Sequence, residues 1–140
     1  MERIVVGVDG SEAAHQALRW ALDEARRRNA TVEAVYAWHQ PGALSYGYLG
    51  QVDLEPFEAD ARKVLDTAVD SIAVPGDPAV ERRLIPGGAA GVLVDEAKGA
   101  DLLVVGSRGR GGFSGLMLGS VSQQVAHHAP CPVVIIPPTA

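Results

Sequence analysis

Leu102-Leu103-Val104-Val105-Gly106-Ser107-Arg108-Gly109, followed by nine residues and then Gly119-Ser120-Val121, decides how this chain is read. Four apolar residues without polar alternation describe a strand buried on both faces, the kind found in a parallel sheet covered by helices. The strand runs straight into spaced glycines, and a helix follows from Ser120 to His128 before Pro130 and Pro132 stop it. A backbone without Cβ atoms folds closely round an anion, and the first turn of the next helix adds N–H donors and a positive dipole end. On spacing alone the loop is either such a phosphate cradle or a flexible surface connection. The strand–loop–helix context is what the first reading requires. Arg108 and Arg110 agree with it, because no acidic residue follows Asp101.

Working outward, the rest of the chain supplies a sheet for that strand. Ile4 to Asp9 reads as a short buried strand ending in Asp9-Gly10-Ser11, a turn with two candidate helix caps. Ala14, Ala17, Leu18, Ala21 and Ala25 recur at helical spacing up to Asn29, with Arg26 to Arg28 at the end that suits cations. Thr31 to Trp38 is a second strand. His39 to Asp53 reads as a long loop, and Phe57, Ala61, Leu65, Ala68 and Ile72 mark a second helix to about Val74. Val80 to Ile85 is a weaker strand, interrupted by Glu81, Arg82 and Arg83, as expected at a sheet edge. A third helix covers Ala89 to Lys98 with Gly99 as its stop, and Val133 to Ile136 is the last strand. The order β-α-β-α-β-α-β-α-β with right-handed crossovers predicts an open parallel five-stranded sheet with helices on both faces. Ligands in such sheets bind outside the carboxyl ends of strands at a topological switch point, so Asp9, Trp38 and Gly106 are expected to share one site.

Composition narrows the function. The 140 residues suit one domain, and 47% hydrophobic with 21% charged residues excludes intrinsic disorder. A net charge of −5 opposes binding to nucleic acid, since phosphate backbones reward clustered cations. A single cysteine, Cys131, forms no disulfide within the chain and fits a reducing cytoplasm. Met1-Glu2-Arg3 leads directly into the first strand with no leader pattern, and no apolar run reaches the ~20 residues of a membrane span. A soluble protein that does not engage membranes is expected.

The commoner phosphate motifs do not fit. No G-x-x-x-x-G-K-[ST] is present, and the first strand is followed only by Gly7-Val8-Asp9-Gly10 where a dinucleotide fold needs G-x-G-x-x-G. The pattern G-x-x-G-(nine residues)-G-[ST], here Gly106, Gly109, Gly119 and Ser120, resembles instead the ATP-binding branch of the universal stress protein family. The start Ile4-Val5-Val6-Gly7-Val8-Asp9-Gly10-Ser11 and the ending Cys131-Pro132-Val133-Val134-Ile135-Ile136 are similar to that family too, so the resemblance spans the whole chain. It implies an adenine nucleotide alpha hydrolase-like fold over a single domain, residues 1–140, with strand order 3-2-1-4-5. It also implies an ATP site at the carboxyl ends of the strands, where a divalent ion such as Mg2+ is a candidate bridge between the phosphates. Carried over by position, Asp9 meets the ribose, the backbone near Ala37 meets adenine, and Gly106, Gly109, Gly119, Ser120 and Val121 line the ribose and phosphates; Arg108 joins them as a candidate by its charge within the loop. A homodimer through Val133, Val134, Ile135 and Ile136 is implied as well.

Other residues carry less. Asp9 has two compatible readings, ligand contact and helix cap; Ser11 reads as a cap or turn residue, with no partners for a catalytic triad. His127 and His128 are adjacent and so point about 100° apart on a helix, which disfavours a shared metal. His39 and Trp38 stand near the proposed adenine end, as pocket wall or as core. Cys131 is read as a small apolar residue, and Glu55, Glu58, Asp60, Asp66 and Asp70 as a solvated helix face. The function expected is that of a nucleotide-dependent stress-response or signalling module. The alternatives are a weak ATPase using Arg108 or Arg110, and a dimerising adaptor binding AMP, cyclic AMP or no nucleotide. Binding is preferred to catalysis because no residue is evident as a general base.

Overall fold

A computed structural model describes residues 1–39, 55–108 and 118–138. The elements are β1 (Arg3–Gly7), α1 (Glu12–Arg28), β2 (Thr31–Trp38), α2 (Glu55–Ile72), β3 (Val80–Pro86), α3 (Ala89–Glu96), β4 (Leu102–Gly106), α4 (Ser120–His128) and β5 (Val133–Ile136). The strands form one parallel sheet in the order β3-β2-β1-β4-β5. The expected doubly wound fold and strand order are therefore present. Most of the predicted loop from His39 to Asp53 lies outside the described residues, as do Gly109 and Arg110.

Strand alternation sorts the core into two layers. Ile4, Val6, Val32, Ala34, Leu102 and Val104 point to one face, where Ala17, Leu18, Ala21 and Leu22 of α1 and Leu65, Ala68 and Val69 of α2 cover them. Val5, Val35, Leu103 and Val105 point to the other, under Leu93 of α3 and Val125 of α4. β1 and β4 lie in the middle of the sheet with both faces covered, which is why Leu102 to Val105 needed no polar alternation.

Several boundaries differ from the sequence reading. β1 ends at Gly7 rather than Asp9, although the Val8 N–H still donates to Val35 O at 2.9 Å. α2 starts at Glu55 and stops at Ile72, two residues before the expected Val74. α3 stops at Glu96 instead of Lys98: Ala97 is its cap, and Gly99, with φ 78°, follows a short turn rather than closing the helix directly. Asn29 ends α1 in the left-handed conformation, as read, and its N–H returns to Ala25 O.

The polar residues of β3 have a structural use. β3 is an edge strand, and its consecutive arginines point to opposite faces. Arg82 bonds Asp66 at 2.8 Å and Asp70 at 2.7 Å on α2, while Arg83 bonds Glu96 of α3 at 3.3 Å. Glu55, Glu58, Asp60 and Asp70 are exposed as expected, and Asp66 is half-buried.

A second clamp closes the turn after α2. The Asp77 side chain is 2% exposed and accepts from Arg19 at 2.9 and 3.1 Å, from the Val74 N–H at 2.8 Å and from Arg26. The Arg19 guanidinium, with the Val74 N–H and Arg26, holds this carboxyl at about 2, against 3.8 when unperturbed. A lowered folded-state value means stability that is complete above about pH 3.8 and lost as pH falls through about 2. Asp77→Asn is therefore expected to flatten that acid limb. Asp77→Ala should remove about 1–3 kcal/mol in urea unfolding, toward the lower end because water screens the half-exposed arginines.

Candidate functional site

The carboxyl ends of β1 and β4 meet at the switch point of the sheet, where the chain turns to the α1 side after β1 and to the α4 side after β4. The turn after β1 is built by its own side chains. Asp9 Oδ1 accepts from the Ser11 N–H at 2.9 Å, Gly10 takes φ 82°, and Ser11 Oγ accepts from the Ala14 N–H at 3.2 Å. Ser11 is thus the cap of α1, and Asp9 shapes the turn that presents it. Of the two caps that the sequence left open, the serine holds the position.

Gly106 ends β4 against the first turn of α1. A Cβ at Gly106 would stand 2.8 Å from Ala13 Cβ and 2.9 Å from the Ala13 carbonyl carbon, closer than side chains approach backbone. The glycine read as a phosphate contact is therefore also required for packing: it lets the start of α1 rest on the end of β4.

The next residue fixes α4. The Ser107 N–H donates to Ile136 O at 2.8 Å, and Ser107 O accepts from the Gly119 N–H at 2.7 Å and from Ser122 Oγ at 2.8 Å. Ser122 is 2% exposed, and Gly119 O, 3.0 Å from its Oγ, is the alternative acceptor for the same hydroxyl proton. Sequence reasoning passed over Ser122. Its signal was a serine three residues before Val125 on the inward stripe of a short helix, a buried polar position that needs a partner. Gly119 has φ −69° and ψ 167°, which any residue adopts; as N-cap it supplies no side-chain bond to the first turn. The N–H groups of that turn have no partner within the helix, and Ser120 is exposed beside them with Val121 half-buried.

The structure brings Asp9, Gly106, Arg108, Gly119, Ser120 and Val121 to the carboxyl end of the sheet, with Arg108 half-buried. Ala37 lies at the same end of β2, paired with Ile85, and the following Trp38 accepts from the Gly87 N–H at 3.0 Å. Trp38 is 6% exposed and so is core, whereas His39 is exposed. His127 and His128 have ring centroids 6.3 Å apart, and no cluster of three metal-ligating side chains occurs among the described residues. A recess at the opposite end of the sheet is lined by Met1, Glu2, Arg28, Asn29 and Asp101. Its charges are committed to one another: Arg28 to Glu24 and Glu2, Asp101 to the Arg3 backbone. Burial raises the Cys131 thiol above its ordinary value, as befits an inert packing residue.

A doubly wound parallel sheet in the order β3-β2-β1-β4-β5, whose central strands end in a capped turn and a helix start, defines an open α/β domain. The chain belongs to the universal stress protein family, whose profile matches residues 1–137. It is 37% identical over 135 residues to a universal stress protein of Mycolicibacterium smegmatis, covering 96% of this chain and 45% of the relative. The chain spans a little under half the length of the curated relatives that it matches. Among solved structures it resembles the Archaeoglobus fulgidus universal stress protein in complex with dAMP, with TM-score 0.72 and 29% identity over 97% of this chain and 98% of that one. It also resembles a universal stress protein in complex with cAMP, with TM-score 0.67 and 30% identity over 96% and 95% of the two chains.

Two substitutions test the packing of this end in the absence of any ligand. Gly106→Ala should lower the unfolding free energy by about 1–3 kcal/mol through overpacking against Ala13. Ser122→Ala should cost about 1 kcal/mol, the net value of its bond to Ser107 O. Urea denaturation followed by circular dichroism measures both.

Proposed function

We propose that this chain binds an adenine nucleotide across the carboxyl ends of β1, β2 and β4, with ATP as the ligand and the bound state as the signal of a stress-response module. The observation that carries the reading is the start of α4: it is held on β4 through Ser107 and Ser122, has no side-chain cap, and stands across the switch point from Asp9. Solved relatives described with dAMP and cAMP support an adenine nucleotide there. Asp9 takes the ribose, the backbone near Ala37 takes adenine, and Gly106, Arg108, Gly109, Gly119, Ser120 and Val121 surround the phosphates. Helix N–H groups and the Ser120 hydroxyl suit phosphate oxygens.

Mg2+ fits such a complex as a bridge between phosphates. It keeps much of its water and would need few protein ligands. Holding the nucleotide is favoured over hydrolysing it. Asp9 is the acid in the turn after β1, and its Oδ1 receives the Ser11 N–H, a turn-shaping use; the motif itself supplies no evident general base. The competing reading, a weak ATPase, assigns Arg108 or Arg110 to charge developing on the transferred phosphoryl group.

Residues 1–140 act as one domain in the cytoplasm. Two copies pair through Val133, Val134, Ile135 and Ile136, since β5 is an edge strand of four half-buried apolar residues. No helix among the described residues is long and apolar enough to cross a membrane.

Isothermal titration with ATP and Mg2+, then with AMP and cyclic AMP, tests the proposal. ATP is expected to bind, and Asp9→Ala to weaken it about tenfold or more, the loss of a charge-assisted bond. No binding at about 1 mM ATP, a Kd limit worth ~4 kcal/mol, would remove the proposal. Arg108→Ala is expected to change phosphate release no more than it changes affinity; a selective loss of turnover would favour the ATPase.

A further inference from the structure

Glu33 is a buried acid that the site does not use. It is the third residue of β2, 6% exposed, on the sheet face covered by α3 and next to the apolar Val5 and Val35. Charged groups reach it from each neighbouring element. Arg3 of β1 stands 3.6 Å from its Oε2, Glu96 comes from the last turn of α3, and Arg83 of β3 bonds Glu96 at 3.3 Å with Glu81 beside it at 3.8 Å. Arg3 also reaches beneath the helix end, donating to Glu96 O at 2.9 Å and Lys98 O at 3.4 Å, while its backbone N–H meets Asp101.

Two facts about this cluster point the same way. Glu33 Oε1 is buried with no hydrogen-bond donor directed at it, a costly state for a carboxylate. The second carboxyl of the cluster is Glu96, tied to the same Arg3 through its backbone carbonyl at 2.9 Å and to Arg83 at 3.3 Å, and as an ion it can only accept. One proton between the two acids satisfies both: protonated Glu33 donates to Glu96, and Glu96 keeps its charge for Arg83. We propose that Glu33 and Glu96 share a single proton and that this pair is a pH-sensitive lock, holding the last turn of α3 on β2 and loosening when the proton leaves.

The energetics of the pair set the working range. Burial, then the Glu96 hydrogen bond, push the Glu33 carboxyl up from 4.5 to about 7, with Arg3 opposing them. A raised value for an acid means that the lock's contribution is complete below about pH 4.5 and falls away as pH rises through about 7. Above that range two carboxylates face each other in a poorly hydrated place. α3 is the element affected, and its N-cap, Gly88, follows Gly87, whose N–H donates to Trp38 O at the carboxyl end of β2.

The test uses the whole chain with 13C-labelled glutamate side chains, titrated by NMR, together with thermal melts of wild type and Glu33→Gln. The amide introduced by Glu33→Gln mimics the protonated acid, because its nitrogen donates to Glu96 while its oxygen accepts from Arg3. The Glu33 carboxyl carbon is expected to titrate near neutrality, and Glu96→Gln to move that midpoint downward. The advantage of Glu33→Gln over wild type in melting temperature should widen by about 5 °C between about pH 5.5 and about pH 8.5. The four histidines cancel in that difference, being common to both proteins. Titration of Glu33 in the ordinary carboxylate range, a midpoint indifferent to Glu96→Gln, or a melting difference that does not change with pH would each overturn the proposal. Should Glu33→Gln fail to fold, the wild-type titration decides alone.

Discussion

The contact between Gly106 and Ala13 governs the geometry of this protein. Without a Cβ at the end of β4, the first turn of α1 settles onto the strand, and the strand can stay beside β1 as a neighbour. A side chain at that point would have to push the helix away from the sheet, and the Ser11 cap and Asp9 turn move with that helix. The same glycine therefore closes the core on one face and sets the spacing of the two strand ends that frame the candidate site.

From that contact outward, apolar packing and polar bonding divide the work. The central strands β1 and β4 are held by fully buried aliphatic side chains on both faces. Directed polar bonds appear where the apolar layer thins: Ser107 and Ser122 fix the start of α4, Arg82 and Arg83 tie the edge strand to one helix on each face, and Asp77 locks the turn behind α2. Glu33 is the exception, an acid placed inside one apolar layer, and its surroundings supply cations and a second acid in place of water.

What the sequence reveals follows the range of the forces involved. Leu102 to Val105 and the helical stripe of α1 are local patterns, and both elements were legible from them; so was the edge position of β3, from its charges. Helix ends were less so, because Glu96, Ala97 and Gly99 all allow a stop and the turn is chosen by packing. The second role of Gly106 was not legible, since it depends on Ala13, far away in the chain. Glu33 was missed for the same reason, since it looks like an ordinary strand-surface acid until Arg3 and Glu96 are beside it; Ser122 had its place on the inward stripe of α4 as a signal, but not its partner Ser107. For the candidate site, glycine spacing marked the region and the fold brought its parts to one end of the sheet. The bonds that hold the region in shape belong to residues the motif does not contain.

The central claim is that the carboxyl ends of β1, β2 and β4, together with the start of α4, form a nucleotide site whose framework exists before the ligand arrives. Backbone amide NMR shifts recorded during addition of ATP and Mg2+ examine it most directly. The account predicts progressive shifts concentrated at Asp9 to Ser11, Ala37, Ser107 and Gly119 to Ser122, with the amides of β1 and β4 otherwise in place. Shifts centred instead on Met1, Glu2, Arg28 and Asp101 at the opposite end of the sheet, or none at any ATP concentration, would contradict it.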